Sequence, residues 1–416
     1  MIQEHSCGTV VARRASGLDV RIFVVVVEPP TPSDAAPILI TGTDLGSTPT
    51  YGGIAPVAQR TGRRTVIVDL PGTGHSSPSL DCPEISSHPG SAATRDLLVG
   101  AVSRCRQRLQ RAGVEPKEMT TPQLAEDLSS VMSALGTPRW VLMGDGTTAD
   151  VAVFVARTHP QAVEALVLDS PVQSGLRPAE RLKSIVVEIA AACRREATCR
   201  KSYGDVEHLW KLAHRRLARE PITLTTREAV VVLDSTGLDR AARWLLAPST
   251  QGPATLPAFL TEVVERRPGK FLDLYAATVA AAPPLCVGYL PKCEVTDHLA
   301  HGAVLSTLCP TVADTSDWHQ LCSAWGVGAR TESRQPVREV PVLALYGKYD
   351  PFADPADVRR QLHAQVPGAF VVEAPKSGHN VLADPCIRSL RNAWLAGDTS
   401  KPPAEPPCLH GPLIFS

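Results

Sequence analysis

The sequence carries no excess charge of either sign. Its 42 Lys and Arg residues balance 42 Asp and Glu, which removes the footprint expected of a nucleic-acid binder or of a protein drawn to an anionic membrane surface. Long apolar runs are missing too. Residues 22–27 (Ile-Phe-Val-Val-Val-Val) are strand length and stop at Glu28-Pro29-Pro30, far short of the roughly 20 residues that span a bilayer. No Cys-x-x-Cys occurs and the histidines stand apart from the cysteines, so no metal site is expected. Gly72 and Gly74 lack the strand-to-helix setting of a dinucleotide fingerprint, so no cofactor is expected either. Met1 to His5 has neither the basic start nor the apolar core of a signal peptide.

Cysteine, in contrast, is plentiful, with 11 residues. Cys193 and Cys199 flank a short basic segment, Cys309 and Cys322 bracket a loop, and Cys386 and Cys408 bracket the last helix and the tail. Cys82 and Cys105 have the spacing to close a further loop. Disulfides point to an oxidising compartment, and buried reduced thiols are the alternative. Localisation therefore stays open: the cysteines suggest secreted ancestry, while the missing leader suggests the cytoplasm unless a leader was removed.

The 44% hydrophobic content over 416 residues suffices for a large core. Apolar strands alternate with helical patterns. Residues 7–28 read as two strands around a turn at Ala15-Ser16-Gly17, followed by strands at 38–40 and 64–70, an apolar strand from Trp140 into a glycine-rich corner, and a strand at 163–170, with helices between them. This alternation implies an α/β fold, a mostly parallel sheet with helices on both faces. The pattern stops at Pro171 and resumes at Val340, and the final strand is 369–373. The expected organisation is a first part of the core over 1–170, a mainly helical cap insertion over 171–335 that includes a strand pair at 222–233, a second part of the core over 336–400, and a loosely attached proline-rich tail over 401–416.

The stretch that organises the chain is Trp140-Val141-Leu142-Met143-Gly144-Asp145-Gly146-Thr147-Thr148-Ala149. A strand runs into a glycine-rich corner and the corner runs into a helix, the layout in which Gly-x-Ser-x-Gly lifts a nucleophilic serine above a sheet. Here Gly146 occupies the serine position. Two later loops carry matching chemistry. Asp350 follows the strand at 340–346, and His379 follows the last strand in Ser377-Gly378-His379. An aspartate bonded to a histidine fixes the imidazole tautomer and stabilises its protonated form, so Asp350 and His379 are expected to be neighbours. Gly42 and Thr43, in the small-residue loop after the strand at 38–40, are candidates for oxyanion or pocket amides, as are Asp145 and Thr147 beside the corner. Asp44 in that loop would oppose a developing anion. His75 is read as a turn histidine that either faces the pocket or stands in solvent, and Trp318 and Trp325 either line an apolar pocket or pack.

The chain resembles the actinobacterial α/β-hydrolases of the tripeptidyl aminopeptidase and proline iminopeptidase type, with a TAP-like C-terminal domain. The resemblance is carried by Asp69-Leu70-Pro71-Gly72-Thr73-Gly74-His75-Ser76-Ser77, Leu80-Asp81-Cys82-Pro83, Thr120-Thr121 to Asp127-Leu128, Ala134-Leu135-Gly136, Thr158-His159-Pro160, Leu166-Val167-Leu168-Asp169, the insertion cysteines, Ser377-Gly378-His379 and Cys386. It spans nearly the whole chain and implies an α/β-hydrolase fold, a cap and a Ser-His-Asp triad, with Asp350 and His379 matching acid and base. Three departures stand out. The family's Gly-x-Ser-Tyr-Gly is replaced by Gly144-Asp145-Gly146-Thr147-Thr148, its Gly-Gly-Pro-Gly-Gly loop by Gly42-Thr43-Asp44-Leu45-Gly46, and the first residues do not read as the expected leader.

Glycine has no atom that attacks a carbonyl, so an acyl-enzyme at residue 146 is excluded. Four readings follow. In the first, Asp350–His379 serves as a general base for non-covalent chemistry, a cyclisation, an elimination or a direct hydrolysis, on a small-molecule or peptide-like substrate. In the second, a peptidase or esterase uses a displaced Thr147, Thr148 or Asp145. The third is a catalytically inactive ligand-binding pseudoenzyme, and the fourth is decay with no present role. The retained acid and histidine favour the first. Composition leaves the oligomeric state undetermined.

Overall fold

The computed structural model describes residues 5–31, 33–41, 55–86, 95–171, 178–226, 230–247, 252–267, 269–281, 300–312, 318–328, 335–411 and 413–415. Its centre is an eight-stranded sheet. β1 (His5–Arg13) and β2 (Asp19–Val27) form an antiparallel hairpin whose turn includes Gly17. β2 pairs antiparallel with β4 (Thr65–Val68), and from there the sheet is parallel through β3 (Ile38–Ile40), β5 (Trp140–Asp145), β6 (Val163–Asp169), β9 (Val342–Gly347) and β10 (Phe370–Ala374). The spatial order is β1-β2-β4-β3-β5-β6-β9-β10.

Side chains alternate across the strands, so each parallel strand feeds two cores. Trp140, Leu142, Leu166 and Leu168 pack on one face against helices Arg95–Arg111, Thr121–Ala134 and Thr148–Thr158. Val141, Met143, Ala165 and Val167 pack on the other against Ala55–Thr61 and Pro385–Ala396. This two-sided burial is why β5 and β9 read as unbroken apolar runs rather than alternating ones.

Between β6 and β9 the regular elements of the described residues are helices and one antiparallel pair, β7 (Ile222–Thr225) and β8 (Val230–Leu233), where the strand pair is expected. The first helix of this region, Pro178–Arg195, is bonded to the next, Ala197–Tyr203, through Cys193–Cys199. Helices His301–Val312 and His319–Trp325 are likewise joined by Cys309–Cys322. The proline-rich stretches around 283–284 and 291 lie outside the described residues. Among the described residues, no helix is long and apolar enough to cross a membrane.

The tail departs from the expectation of loose attachment. Cys408 is disulfide-bonded to Cys386 at the start of the last helix, the Trp394 indole donates to the Lys401 carbonyl at 3.0 Å, and Leu413 and Phe415 are buried. A covalent link plus buried apolar side chains offsets the chain entropy that proline-rich composition alone would leave unopposed. With Cys82–Cys105, four disulfides are formed among the described residues, where only Cys7 is a free thiol. Thiol titration in denaturant is therefore expected to leave these four pairs unreactive until reductant is added. Reaction of all 11 cysteines without reductant would refute the pairing.

Candidate active site

The strand register brings the chemistry to one edge. Asp145 at the end of β5 is level with Asp169 at the end of β6, Asp169 is level with Leu345 in β9, and Gly347 is level with Ala374 at the end of β10. Each chain therefore leaves the sheet at nearly the same height, on the carboxyl side of the parallel strands, where ligands bind in open α/β sheets.

The corner after β5 turns on Gly146, whose φ of 55° is a left-handed backbone conformation that a side chain strains. The Gly146 amide donates to the Asp169 carbonyl at 2.9 Å and ties the corner to β6. The Thr148 hydroxyl closes the turn. It accepts from the Asp145 amide and donates to the Asp145 carbonyl, both at 2.9 Å. Thr147 is the half-buried N-cap of helix Thr148–Thr158, and Asp145 is buried beside it. Gly42, Thr43 and Asp44 lie outside the described residues.

Asp350 and His379 meet as expected. The His379 Nδ1 and Asp350 Oδ2 are 2.7 Å apart, and both side chains are buried. With the carboxylate accepting, the proton sits on Nδ1 and Nε2 is the basic ring nitrogen. The second carboxylate oxygen accepts from the Phe352 amide at 2.8 Å, and the Phe352 ring stands edge-on to the imidazole, with centroids 5.3 Å apart. The two loops also interlock through backbone. The Tyr349 amide donates to the Ser377 carbonyl at 3.0 Å, and a Cβ on Gly347 would collide with the Gly378 carbonyl.

Further residues, given no role in the site from the sequence, hold the histidine loop. The Asp169 carboxylate accepts from the Val381 and Leu382 amides at 2.9 and 3.0 Å and from the Ser170 hydroxyl at 2.9 Å. The Ser170 oxygen in turn accepts from the Asn380 amide at 2.7 Å. Ser170 and Asn380 both have positive φ, 46° and 57°. Two non-glycine residues in that region, bonded to each other beside the imidazole, mark backbone strain held by its surroundings. Burial pulls the Arg391 guanidinium down to about 10, a shift that the Asp169 carboxylate opposes. The only trace of this network in the sequence is an Asp-Ser pair at a strand end.

The other candidates sit elsewhere. His75 is largely exposed, paired through Nδ1 with Asp69 at 3.0 Å and stacked on Phe23, which is the solvent-facing turn reading. Trp318 and Trp325 are buried core residues, the latter donating to Ser306 at 2.9 Å. Cys82, Glu84 and Cys105 bring possible metal ligands together, but both sulfurs are spent on their disulfide.

Residues 38–191 match the family model of the alpha/beta hydrolase fold, and residues 310–408 match the family model described as TAP-like protein. Together the two stretches take in well over half of the chain, and the chain belongs to the α/β-hydrolase-fold family. Within that class it is of the TAP-like kind, for the matching C-terminal stretch is the one that carries Asp350 and His379. No curated protein matches the chain. Among solved structures, the chain is similar to an alpha/beta hydrolase fold protein from Chitinophaga pinensis (13% identity, TM-score 0.42, covering 94% of this chain and 98% of that one). It is also similar to the proline iminopeptidase of Mycobacterium smegmatis (15%, 0.42, 94% and 97%) and to an esterase from Exiguobacterium antarcticum (11%, 0.42, 94% and 99%). Likenesses this distant add nothing to what the chain's own residues say about chemistry.

Proposed function

We propose that this protein is an enzyme that has kept the proton-handling half of a hydrolase site and works without a covalent step. The observation that carries the reading is the buried Asp350–His379 hydrogen bond at the carboxyl edge of the sheet, the same edge at which the corner after β5 turns on glycine. Asp350 holds the ring tautomer and stabilises the imidazolium, and Nε2 of His379 removes a proton from a substrate hydroxyl, amine or carbon acid, or from water. A cyclisation, an elimination or a direct hydrolysis fits that chemistry. Residues 171–335 are a cap over this edge, and the substrate is a small molecule or peptide-like. The disulfides suit an oxidising compartment.

A displaced nucleophile is disfavoured by the corner itself. The Thr148 hydroxyl is committed in both directions to Asp145, and Thr147 stands at the helix N-cap position, one step past the corner and without a side-chain cap bond. A fluorophosphonate probe is expected to leave the native protein unlabelled, and Thr147→Ala and Thr148→Ala are expected to keep turnover on whichever ester, anilide or lactone of a screening panel proves to be a substrate. Labelling mapped to either threonine by mass spectrometry would replace the non-covalent reading with a covalent one.

A further inference from the structure

The acid loop is held from above as well as from within the sheet. Arg181 lies one turn into helix Pro178–Arg195, the first helix after β6, and its side chain is 5% exposed. Most buried arginines face carboxylates, but here two arms of the guanidinium point at backbone carbonyls. Nε donates to the carbonyl of Asp350 at 3.1 Å, and Nη2 donates to the carbonyl of Lys348. The remaining arm, Nη1, donates to Glu188 at 3.0 Å, two turns along the same helix, and approaches the Asp354 carboxylate at 3.8 Å. The planar fork of arginine thus spans the turn that presents Asp350, a geometry that the single ammonium of lysine does not reproduce.

We propose that Arg181 is a positioning residue. It latches the helical region onto the acid loop, so that the carboxylate of Asp350 is aimed at His379 only while helix Pro178–Arg195 is docked. Two features make the contact a positioning one rather than general packing. The carbonyls it binds belong to the reactive aspartate itself and to a residue two before it. The loop's own backbone bonds, from the Lys348 amide to Ala374, the Tyr349 amide to Ser377 and the Asp350 amide to Gly347, engage its amides, while Arg181 takes the carbonyls of Lys348 and Asp350. Docking of the region that would cover a substrate is thereby coupled to assembly of the base. The proposal rests on the reading of Asp350–His379 as that base.

The test compares Arg181→Met and Arg181→Lys with the native protein and with Asp350→Asn, all on the full chain. Two readouts are needed: the His379 titration by NMR with labelled histidine, and amide hydrogen exchange of residues 348–352. Circular dichroism checks the fold. In Arg181→Met, exchange of the loop amides is expected to rise about tenfold or more, and the His379 titration is expected to move toward that of Asp350→Asn, with Arg181→Lys between the two. If Arg181→Met does not fold, Arg181→Lys alone is expected to show the same two changes in smaller degree. Unchanged exchange and titration in a folded variant would overturn the latch while leaving the dyad in place. A His379 titration that Asp350→Asn itself does not move would overturn the dyad, and the latch with it.

Discussion

Replacing His379 with alanine is expected to lower turnover by roughly two to four orders of magnitude, the range contributed by a positioned general base. Asp350→Asn is expected to cause a large fall as well, because an amide at that position accepts or donates with either face and no longer fixes the Nδ1 proton. Both side chains are buried, so each variant must first be shown to fold. A companion variant asks whether the imidazole still addresses the corner. Gly146→Ser puts a hydroxyl at the nucleophile position at a backbone strain of about 1–2 kcal/mol, the usual penalty for a side chain at left-handed φ. It is expected to gain fluorophosphonate labelling that disappears when His379→Ala is added. Full turnover in His379→Ala would sink the general-base reading. Absence of labelling in a folded Gly146→Ser protein would mean that the ring does not reach the corner.

The legible parts of this molecule are those in which local pattern and tertiary role coincide. β5, β6 and β9 are buried on both faces and therefore appear as uninterrupted apolar runs, and the tight corner after β5 shows as closely spaced glycines. The Asp350–His379 pair was readable because both residues follow strands, and parallel strands deliver their following loops to one edge whatever the sequence separation. The disulfides Cys193–Cys199 and Cys309–Cys322 join cysteines whose placement, flanking a short basic segment and bracketing a loop, is suggestive of pairing in the sequence. The supports of the site were not readable. Arg181 is one of many basic residues on a charged amphipathic helix, and nothing local distinguishes an arginine that binds carbonyls from one that faces water. Asp169 and Ser170 act on amides more than two hundred residues away. Helix His301–Val312 was also missed, because it follows a proline-rich stretch and has Pro310 near its end, so its helical signal is short.

That helix carries the second large expected effect. His301, its first residue, is 1% exposed, and among the described residues neither ring nitrogen has a hydrogen-bond partner. Burial lowers its pKa from 6.5 to about 4, and the positive end of the helix dipole also disfavours the imidazolium. In the unfolded chain the same histidine titrates near 6.5. Between that value and about 4 the unfolded state binds the proton and the folded state does not, so stability falls as pH falls through this window and falls no further below it. A shift of this size corresponds to about 3 kcal/mol. Asp127, whose carboxyl burial pushes upward despite its pairing with Arg14, works in the opposite sense and gains stability on acidification, so the native curve alone does not isolate the histidine. The difference between native protein and His301→Leu does, because the other groups cancel. Urea unfolding at several pH values from 7 to 4 is expected to show the native protein losing about 3 kcal/mol more than the variant over that range. At neutral pH the leucine is expected to be neutral or stabilising, since it removes two buried polar atoms that have no partners. Parallel curves for the two proteins would mean that His301 is reached by water or by a hydrogen-bond partner, and that its burial does not govern the acid sensitivity of the fold.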